Sequence, residues 1–483
     1  METKLGLAYV IGCLLISTPA LLVVGCGNDS AEPTSASPGG AGEGAGGADG
    51  SPAAGGADSG VEHGGSDSGR GGSESDRGGS ASSGTGAGPH VDPGGPIEPG
   101  GPGAGGADGG ADSLDFDGVD VSDASEDAPS GCVGGFDSAT GTLAITIDET
   151  APVVRLAVHA GVVQANGVDC ASEAGAPATA EAVLALSISG GDGDDVLYLD
   201  SSDEPFSGAL SEAGSISVAL GEGTDRVAVL GTNGADVIHV GSEAGELLVD
   251  LNADQRADLT ISGAPRIVLS TGAKNDQVRA DGVALGIDPA ALPLEIYGGG
   301  AGDQLVGGAA ADYLSGGIGN DWFDAGAAPA GADTFDGGDG QDAVDFSARE
   351  AAIVITMGAG ADDGEADEGV DVTASVEDVY GGQGTNTITG GAADNRIWGG
   401  PEADVIDGGP GGDILVGSAG DDELKGGEGD DYLYGEDGDD DLEGGAGDDL
   451  LDGFEGKNSL NGGPGDGDIC FVTKNDKASG CEL

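Results

Sequence analysis

The stretch Gly381–Cys470 reads GGQGTNTIT, GGAADNRIW, GGPEADVID, GGPGGDILV, GSAGDDELK, GGEGDDYLY, GEDGDDDLE, GGAGDDLLD, GFEGKNSLN, GGPGDGDIC. It is ten blocks of nine with nothing between them. Each block opens with glycine, nearly all carry Asp or Asn at the sixth place, and all carry Leu or Ile at the eighth. A fixed short period marks a stacked repeat, in which a unit too small to bury its own apolar residue buries it against its neighbours. The glycine-rich first six residues are expected to turn, because glycine tolerates φ > 0. The last three are expected to be extended, so that in Gly426–Tyr434 Leu433 points in and its neighbours point out. Two blocks then make an 18-residue coil, and each loop lies over the loop 18 residues on.

Such stacking gathers carboxylates. Asp404, Asp422 and Asp440 fall on one edge, and Asp413, Asp431 and Asp449 on the other. Without a cation these ladders repel. Ca²⁺ between successive loops would draw two carboxylates and several loop carbonyls into the all-oxygen shell of six or more ligands that it prefers. Zn²⁺ is disfavoured because the loops offer no His or Cys, and Mg²⁺ because it demands a strict octahedron and keeps its waters. Asn386, Asn395 and Asn458 replace the carboxylate, and could still coordinate through a carbonyl oxygen with less charge. The last block has Gly467 at the sixth place and Asp468 displaced by one. Ala301, Ala310, Ala393 and Glu402 stand at the fourth place where glycine is expected, so their loops are candidates for strain or for lacking metal. Six units match every fixed position, starting at Gly190, Gly316, Gly337, Gly408, Gly426 and Gly444.

Upstream the period loosens. The block 298–345 holds GGGAGDQLV, GGAAADYLS, GGIGNDWFD, a stretched AGAAPAGADTFD and GGDGQDAVD, with Asp303, Asp312, Asp321, Asp333 and Asp342 as candidate ligands. An interlude, 346–380, contains a strand-like IVITM run and an acidic loop. Residues 190–297 begin with the well-formed GGDGDDVLY, which supplies Asp195, and continue with degenerate units such as TGAKNDQVR. They read as coils of the same parallel architecture with longer turns and fewer good metal loops. Residues 132–189 are β-branched and alternating over Thr142–Ile147, Val153–Val158, Gly161–Val168 and Ala182–Ser189, the pattern of short strands capping the stack.

Residues 1–26 pair a weakly basic start with an apolar run, as in an export signal. Its end, Val23-Val24-Gly25-Cys26, resembles a bacterial lipobox, which implies lipidation of Cys26. An uncleaved membrane anchor is the competing reading, since ~20 apolar residues can span a bilayer. Residues 27–131 are almost all Gly, Ala, Ser, Asp and Pro, too poor in apolar side chains to fold. This disordered tether would have an r.m.s. span of roughly 50–60 Å. The acidic piece Leu114–Asp120 lacks the downstream Glu of an EF-hand and reads as part of the tether. Of the four remaining cysteines, sequence proximity favours Cys132–Cys170 and Cys470–Cys481 among three connectivities. The second closes the C-terminal segment 471–483.

The chain of 483 residues has a formal net charge of -73 and 15 Lys and Arg in all, which excludes a nucleic-acid partner. No H-E-x-x-H helix or G-x-S-x-G elbow is present, and His159 and His239 read as outward-facing strand residues. The expectation is a non-enzymatic protein.

These motifs resemble the RTX, or haemolysin-type, calcium-binding repeat family over roughly 190–470, most closely over 298–345 and 381–470. The resemblance implies an all-β fold, a parallel β-roll or β-solenoid that folds on several Ca²⁺ ions. Type I secreted RTX toxins and proteases lack a cleaved N-terminal signal, whereas residues 1–26 read as one. The departure implies general export and an outer-membrane or cell-surface lipoprotein held by a lipid anchor, or an extracellular protein. The expected role is structural or adhesive, with an unidentified protein or polysaccharide partner. The alternative is a Ca²⁺-dependent extracellular hydrolase or lyase on the solenoid's flank, which would need a groove lined with Asp, Arg, Lys and aromatics.

Overall fold

The structure, a computed structural model, describes residues 129, 131–148, 152–206, 216–263, 265–465 and 467–482. The export signal with Cys26, and the tether apart from residues 129 and 131, lie outside the described residues. Everything described is strand, turn or loop, with no helix among these residues.

Two walls of mostly parallel strands face each other across a narrow core. One wall is a continuous ladder from Phe136–Asp137 to Ile469–Phe471. The other is built from two sheets in succession. The first runs from Val168–Asp169 to Asp371–Val372, and the second from Val354–Thr356 to Lys477–Ser479. The changeover falls in the interlude. There Asp371–Val372 pairs back onto Thr334–Gly340, while Val354–Thr356 pairs forward onto Thr387–Thr389.

The eighth-place aliphatics set the register. Ile406 pairs with Leu424, Leu424 with Leu442 and Leu442 with Leu460, each 18 residues on. On the facing wall Ile397, Leu415, Leu433 and Leu451 do the same. All eight are no more than 1% exposed. The extended segments are longer than the block pattern suggests. Val405–Pro410, Glu423–Glu428 and Asp441–Ala446 run through the block boundary, because Gly427 and Glu428 pair with Gly445 and Ala446. The turn is therefore confined to the middle of each block. Tyr434 also departs from expectation, being buried on the outer face where Phe454 covers its ring at 6.2 Å.

Higher up, the coils lengthen but the register holds. Leu197 pairs with Val227 at a step of 30 residues, Val227 with Ile267 at 40, and Ile267 with Leu294 at 27. The extra length leaves as loops or, once, as an antiparallel hairpin: Val237–Glu243 against Glu246–Asp250, which pairs onward with Leu259–Ser262. Region 190–297 is thus not purely parallel. The hairpin also covers His239, which is 9% exposed with Nδ1 3.0 Å from Asp250 Oδ2, so it is not outward-facing. His159 does lie at the surface, beside Asp203.

Segment 132–189 forms the first coil of both walls. Thr142–Thr146 pairs in parallel with Ala185–Ser189, and Val153–His159 with Val196–Asp200. Antiparallel additions finish the end, Phe136–Asp137 on one wall and Val162–Ala165 with Val168–Asp169 on the other. The disulfide Cys132–Cys170 ties this coil, and Cys470–Cys481 ties the last.

Candidate metal centre

The sixth-place carboxylates turn inward beneath their loops and are almost completely buried. One oxygen of each is used by the fold. The backbone N–H of Asp404 donates to Asp422 Oδ1 at 2.8 Å, and that of Asp422 to Asp440 Oδ1 at 3.0 Å. On the other edge Asp413 N–H donates to Asp431 Oδ1 at 2.8 Å, and Asp431 N–H to Asp449 Oδ1 at 2.9 Å. Asp303, Asp321 and Asp342 continue this second ladder upward at 2.7 and 2.8 Å.

The other oxygen has no such partner. Oδ2 of Asp303, Asp321, Asp342, Asp404, Asp413, Asp422, Asp431, Asp440 and Asp449 is buried without a hydrogen bond. It lies over the first glycine of its own block. A Cβ on Gly426 would sit 2.2 Å from Asp431 Oδ2 and 2.4 Å from the carbonyl oxygen of Gly444. The first glycine therefore leaves room for the carboxylate and for a carbonyl of the next coil. Left-handed backbone is needed instead at the second place, as at Gly427 with φ 122°. Of the four fourth-place substitutions, Ala301 alone takes positive φ, at 80°.

A buried carboxylate oxygen with no donor is costly unless a cation faces it. Burial pushes the pKa up throughout: to about 9 at Asp303, and to about 7 at Asp342 and Asp404. It reaches about 6 at Asp321, Asp413, Asp422, Asp431, Asp440 and Asp449. Among the described residues no three Asp, Glu, His or Cys side chains gather as a metal-holding group. A cation here must take most of its ligands from backbone carbonyls. Carboxylate and carbonyl oxygens in a strained glycine turn form a hard donor set, which fits Ca²⁺ and offers nothing to a thiophilic metal.

A model of the RTX calcium-binding nonapeptide repeat (4 copies) matches residues 187–203, 297–328, 330–348, 380–415, 407–442 and 434–469. The chain carries RTX calcium-binding nonapeptide repeats. Such repeats bind multiple Ca²⁺ ions, so calcium is this protein's ligand. No curated protein matches the chain.

Within the RTX ladders the residues divide in a way their spacing does not show. Two candidate ligands have Oδ2 engaged within the fold. Asp195 Oδ2 accepts from Gly191 N–H at 3.0 Å, and Asp312 Oδ2 from Gly308 N–H at 2.5 Å. Burial still holds Asp195 above its ordinary value and lifts Asp312 to about 7. Asp333 accepts Asp312 N–H at 2.9 Å and is lifted to about 6, chiefly by burial, with Glu368 pushing it up and Arg349 down. Arg349 is itself buried and donates to the carbonyls of Ala325 and Gly326 at 2.7 and 2.8 Å, and to Glu368 at 2.9 Å. In this stretched block a guanidinium covers the loop carbonyls.

The asparagines do something similar. Asn386 Nδ2 donates to the carbonyls of Gly382 and Gly399 at 3.0 and 2.9 Å, and Asn458 Nδ2 to that of Gly453 at 2.6 Å. Asn395 Nδ2 donates to the Glu377 carbonyl at 3.1 Å. The amide places a donor where the aspartates place a bare oxygen. The Oδ1 of Asn395 and Asn458 in turn accepts Gly391 N–H at 2.8 Å and Asp440 N–H at 2.9 Å.

Ladder members outside the candidate ligands include Asp225, which accepts Asp195 N–H at 3.0 Å, and four more. Asp276 accepts from Asp236 N–H at 2.7 Å through Oδ1, while its Oδ2 is buried and unbonded. Glu377 takes an aspartate's seat in the interlude, accepting from Asp342 N–H at 2.9 Å. Asp468 accepts from Asp449 N–H at 3.0 Å after a 19-residue step, so the displaced residue regains the column. Asp476 receives Asn458 N–H at 3.0 Å at the ladder's end. Two of these four carried a signal, Asp276 as the sixth residue of TGAKNDQVR and Asp468 as the residue displaced by one in GGPGDGDIC.

Proposed function

We propose that this chain is an exported scaffold that Ca²⁺ folds outside the cytoplasm, anchored by a lipid on Cys26, with a structural or adhesive and non-enzymatic role. The observation that carries the reading is the row of buried, unbonded Oδ2 atoms from Asp303 to Asp449. Nine buried carboxyl oxygens facing no donor, in a chain of net charge -73, oppose a compact state until cations or protons neutralise them. Where Ca²⁺ is scarce the array stays open, which suits passage across a membrane. Where Ca²⁺ is plentiful it closes. The ligands proposed for Ca²⁺ are Asp303, Asp321, Asp342, Asp404, Asp413, Asp422, Asp431, Asp440 and Asp449, with loop carbonyls between them. The apolar N-terminal run and the lipobox-like Val23–Cys26 support export and anchoring, and the low-complexity 27–131 supports display at a distance.

Circular dichroism of the full chain, titrated with Ca²⁺ into the millimolar range, tests the folding claim. A large gain of β signal is expected, and a flat titration would reject it. Labelled-palmitate incorporation into cells expressing wild type and Cys26→Ala tests the anchor. Label should disappear from the variant, and equal labelling would reject lipidation at that residue.

A further inference from the structure

We propose that the outer face of the continuous wall carries a binding groove for a neutral polysaccharide, centred on Trp322. The proposal rests on the adhesive reading above and names its ligand class.

The groove is a cavity of about 350 Å³ alongside the strands Gln277–Arg279, Gln304–Val306 and Trp322–Asp324. That volume is in the range of small-molecule sites, roughly 300–1,000 Å³. The aromatic residues there are unexpected for this chain, which holds only two tryptophans and is 4% aromatic. Both tryptophans stand on this one face. Trp322 leans on Tyr380 with ring centroids 5.1 Å apart, and Tyr380 stacks flat on Trp398 at 4.4 Å. Trp322 is half-buried, supported from behind by this stack, and its remaining surface lines the cavity. No ladder hydrogen bond or carboxylate seat requires an indole there.

The polar groups around the indole are fixed by one another. Gln277 Nε2 donates to Gln304 Oε1 at 2.9 Å, and Arg396 Nε donates to the buried Asp378 at 2.8 Å. Asn320 lies on the rim. A rigid aromatic platform edged with amides and a held guanidinium matches a sugar ring, which offers an apolar C–H face and a rim of hydroxyls. Sign of charge narrows the class further. Asp236 and Asp276 border the cavity, and its single arginine, Arg396, is already paired with Asp378, an arrangement that disfavours polyanions. The site therefore takes a neutral glycan in preference to a uronate or sulfated one.

The test is affinity electrophoresis of the full chain in Ca²⁺ through gels containing dextran, β-1,3-glucan or xyloglucan, with carboxymethyl dextran as the anionic comparator. At least one neutral glycan should retard wild type, and carboxymethyl dextran should not. Trp322→Ala should weaken binding at least tenfold, and Gln304→Leu should weaken it measurably while keeping the shape of the strand. Tyr432→Ala, on the same wall but away from the cavity, should bind like wild type. Each variant's Ca²⁺-induced circular dichroism is recorded first. If wild type shows no response, the calcium-folding reading fails. If it responds but no neutral glycan retards it, the groove alone is overturned. Retardation that survives both Trp322→Ala and Gln304→Leu in folded variants, or retardation by the anionic comparator alone, also overturns it. Should Trp322→Ala not fold, Gln304→Leu decides.

Discussion

The upper and lower coils of the molecule fill the same backbone seat with opposite chemistry. On the wall starting at Val153–His159, each upper strand turns two aliphatics inward: Val154 and Leu156, Leu197 and Leu199, Val227 and Val229, Ile267 and Leu269, Leu294 and Ile296. One coil further down, Ile296 pairs with Leu314, but the seat beneath Leu294 belongs to Asp312, whose Oδ1 accepts Leu294 N–H at 2.7 Å. From there Asp333 and the block carboxylates hold that position. The upper strands gain about 1.5–3 kcal/mol from each additional buried aliphatic. The lower strands bury a carboxylate instead and are stable only when something neutralises it. On this wall, then, the upper strands pack aliphatics where the lower strands bury carboxylates, and the reading proposed above makes only the lower half conditional on calcium.

Removing Ca²⁺ separates the two most sharply. With EDTA, amides in 402–450 should exchange hydrogen at close to unfolded rates, whereas those of 186–199 and 226–229 should keep their protection. Each site saturated at a hundred times its Kd forfeits about 2.7 kcal/mol on chelation, and several sites are lost together. Simultaneous loss of protection in both regions would break the comparison.

Point substitutions sharpen it. Val227→Ala on the upper wall should destabilise by roughly 1–3 kcal/mol in Ca²⁺ and in EDTA alike, since it leaves a cavity. Asp431→Ala should act only when Ca²⁺ is present, lowering the number of ions bound and the melting temperature of the lower half. Gly426→Ala should mimic it, because the new methyl overlaps Asp431 Oδ2 and the Gly444 carbonyl. Counting bound Ca²⁺ by isothermal titration checks both, and an unchanged count for Gly426→Ala would show that the oxygens over that glycine are not the ligands.

Acid should move the two states of the lower half in opposite directions. Asp413, Asp422, Asp431, Asp440 and Asp449 are raised from 3.8 to about 6 by burial. The folded, metal-free state therefore binds more protons than the unfolded chain between these values. Its stability is fully expressed below about pH 4 and is lost as pH rises through about 6. Protons compete with Ca²⁺ for the same oxygens, so calcium affinity should fall over that interval. Urea melts in EDTA at pH 5 and 7.5 check the first statement, and Ca²⁺ titrations at the same pH values check the second. Greater metal-free stability at pH 7.5 would contradict the burial of these groups.

The period told most of the fold because a nine-residue repeat with an aliphatic at its eighth place leaves one stacking register, and Leu424, Leu442 and Leu460 adopt it. What remained hidden depends on insertions. Glu377 reaches its seat across a 35-residue step from Asp342, so no spacing rule points to it. Trp322 and Tyr380 meet only because Trp322–Asp324, Ala343–Asp345 and Asp378–Tyr380 are successive strands of one wall. The hydrogen bonds of the asparagines were hidden for a different reason. Asn and Asp are near-isosteric, but an amide nitrogen supplies the donor that a carboxylate asks of a cation, and only the positions of the Gly382 and Gly399 carbonyls reveal the exchange.

The switch residue itself offers the finest test. Asp312→Leu would extend the upper wall's aliphatic pairing by one coil, directly beneath Leu294. It removes a carboxyl that burial has lifted to about 7, and replacing buried charge with a well-packed apolar residue is often stabilising by ~1–4 kcal/mol. Against this, the N–H groups of Leu294 and Gly308 lose the acceptor that both now share. Each unsatisfied donor costs about 1–3 kcal/mol. Two such donors outweigh the gain, so the balance in EDTA should be a fall in melting temperature, deeper at pH 5, where Asp312 is already neutral and no buried charge is relieved. Because Asp312 Oδ2 is held by Gly308 rather than left bare, the number of Ca²⁺ ions bound should not change. A lost ion would move the boundary between the two halves one coil upward.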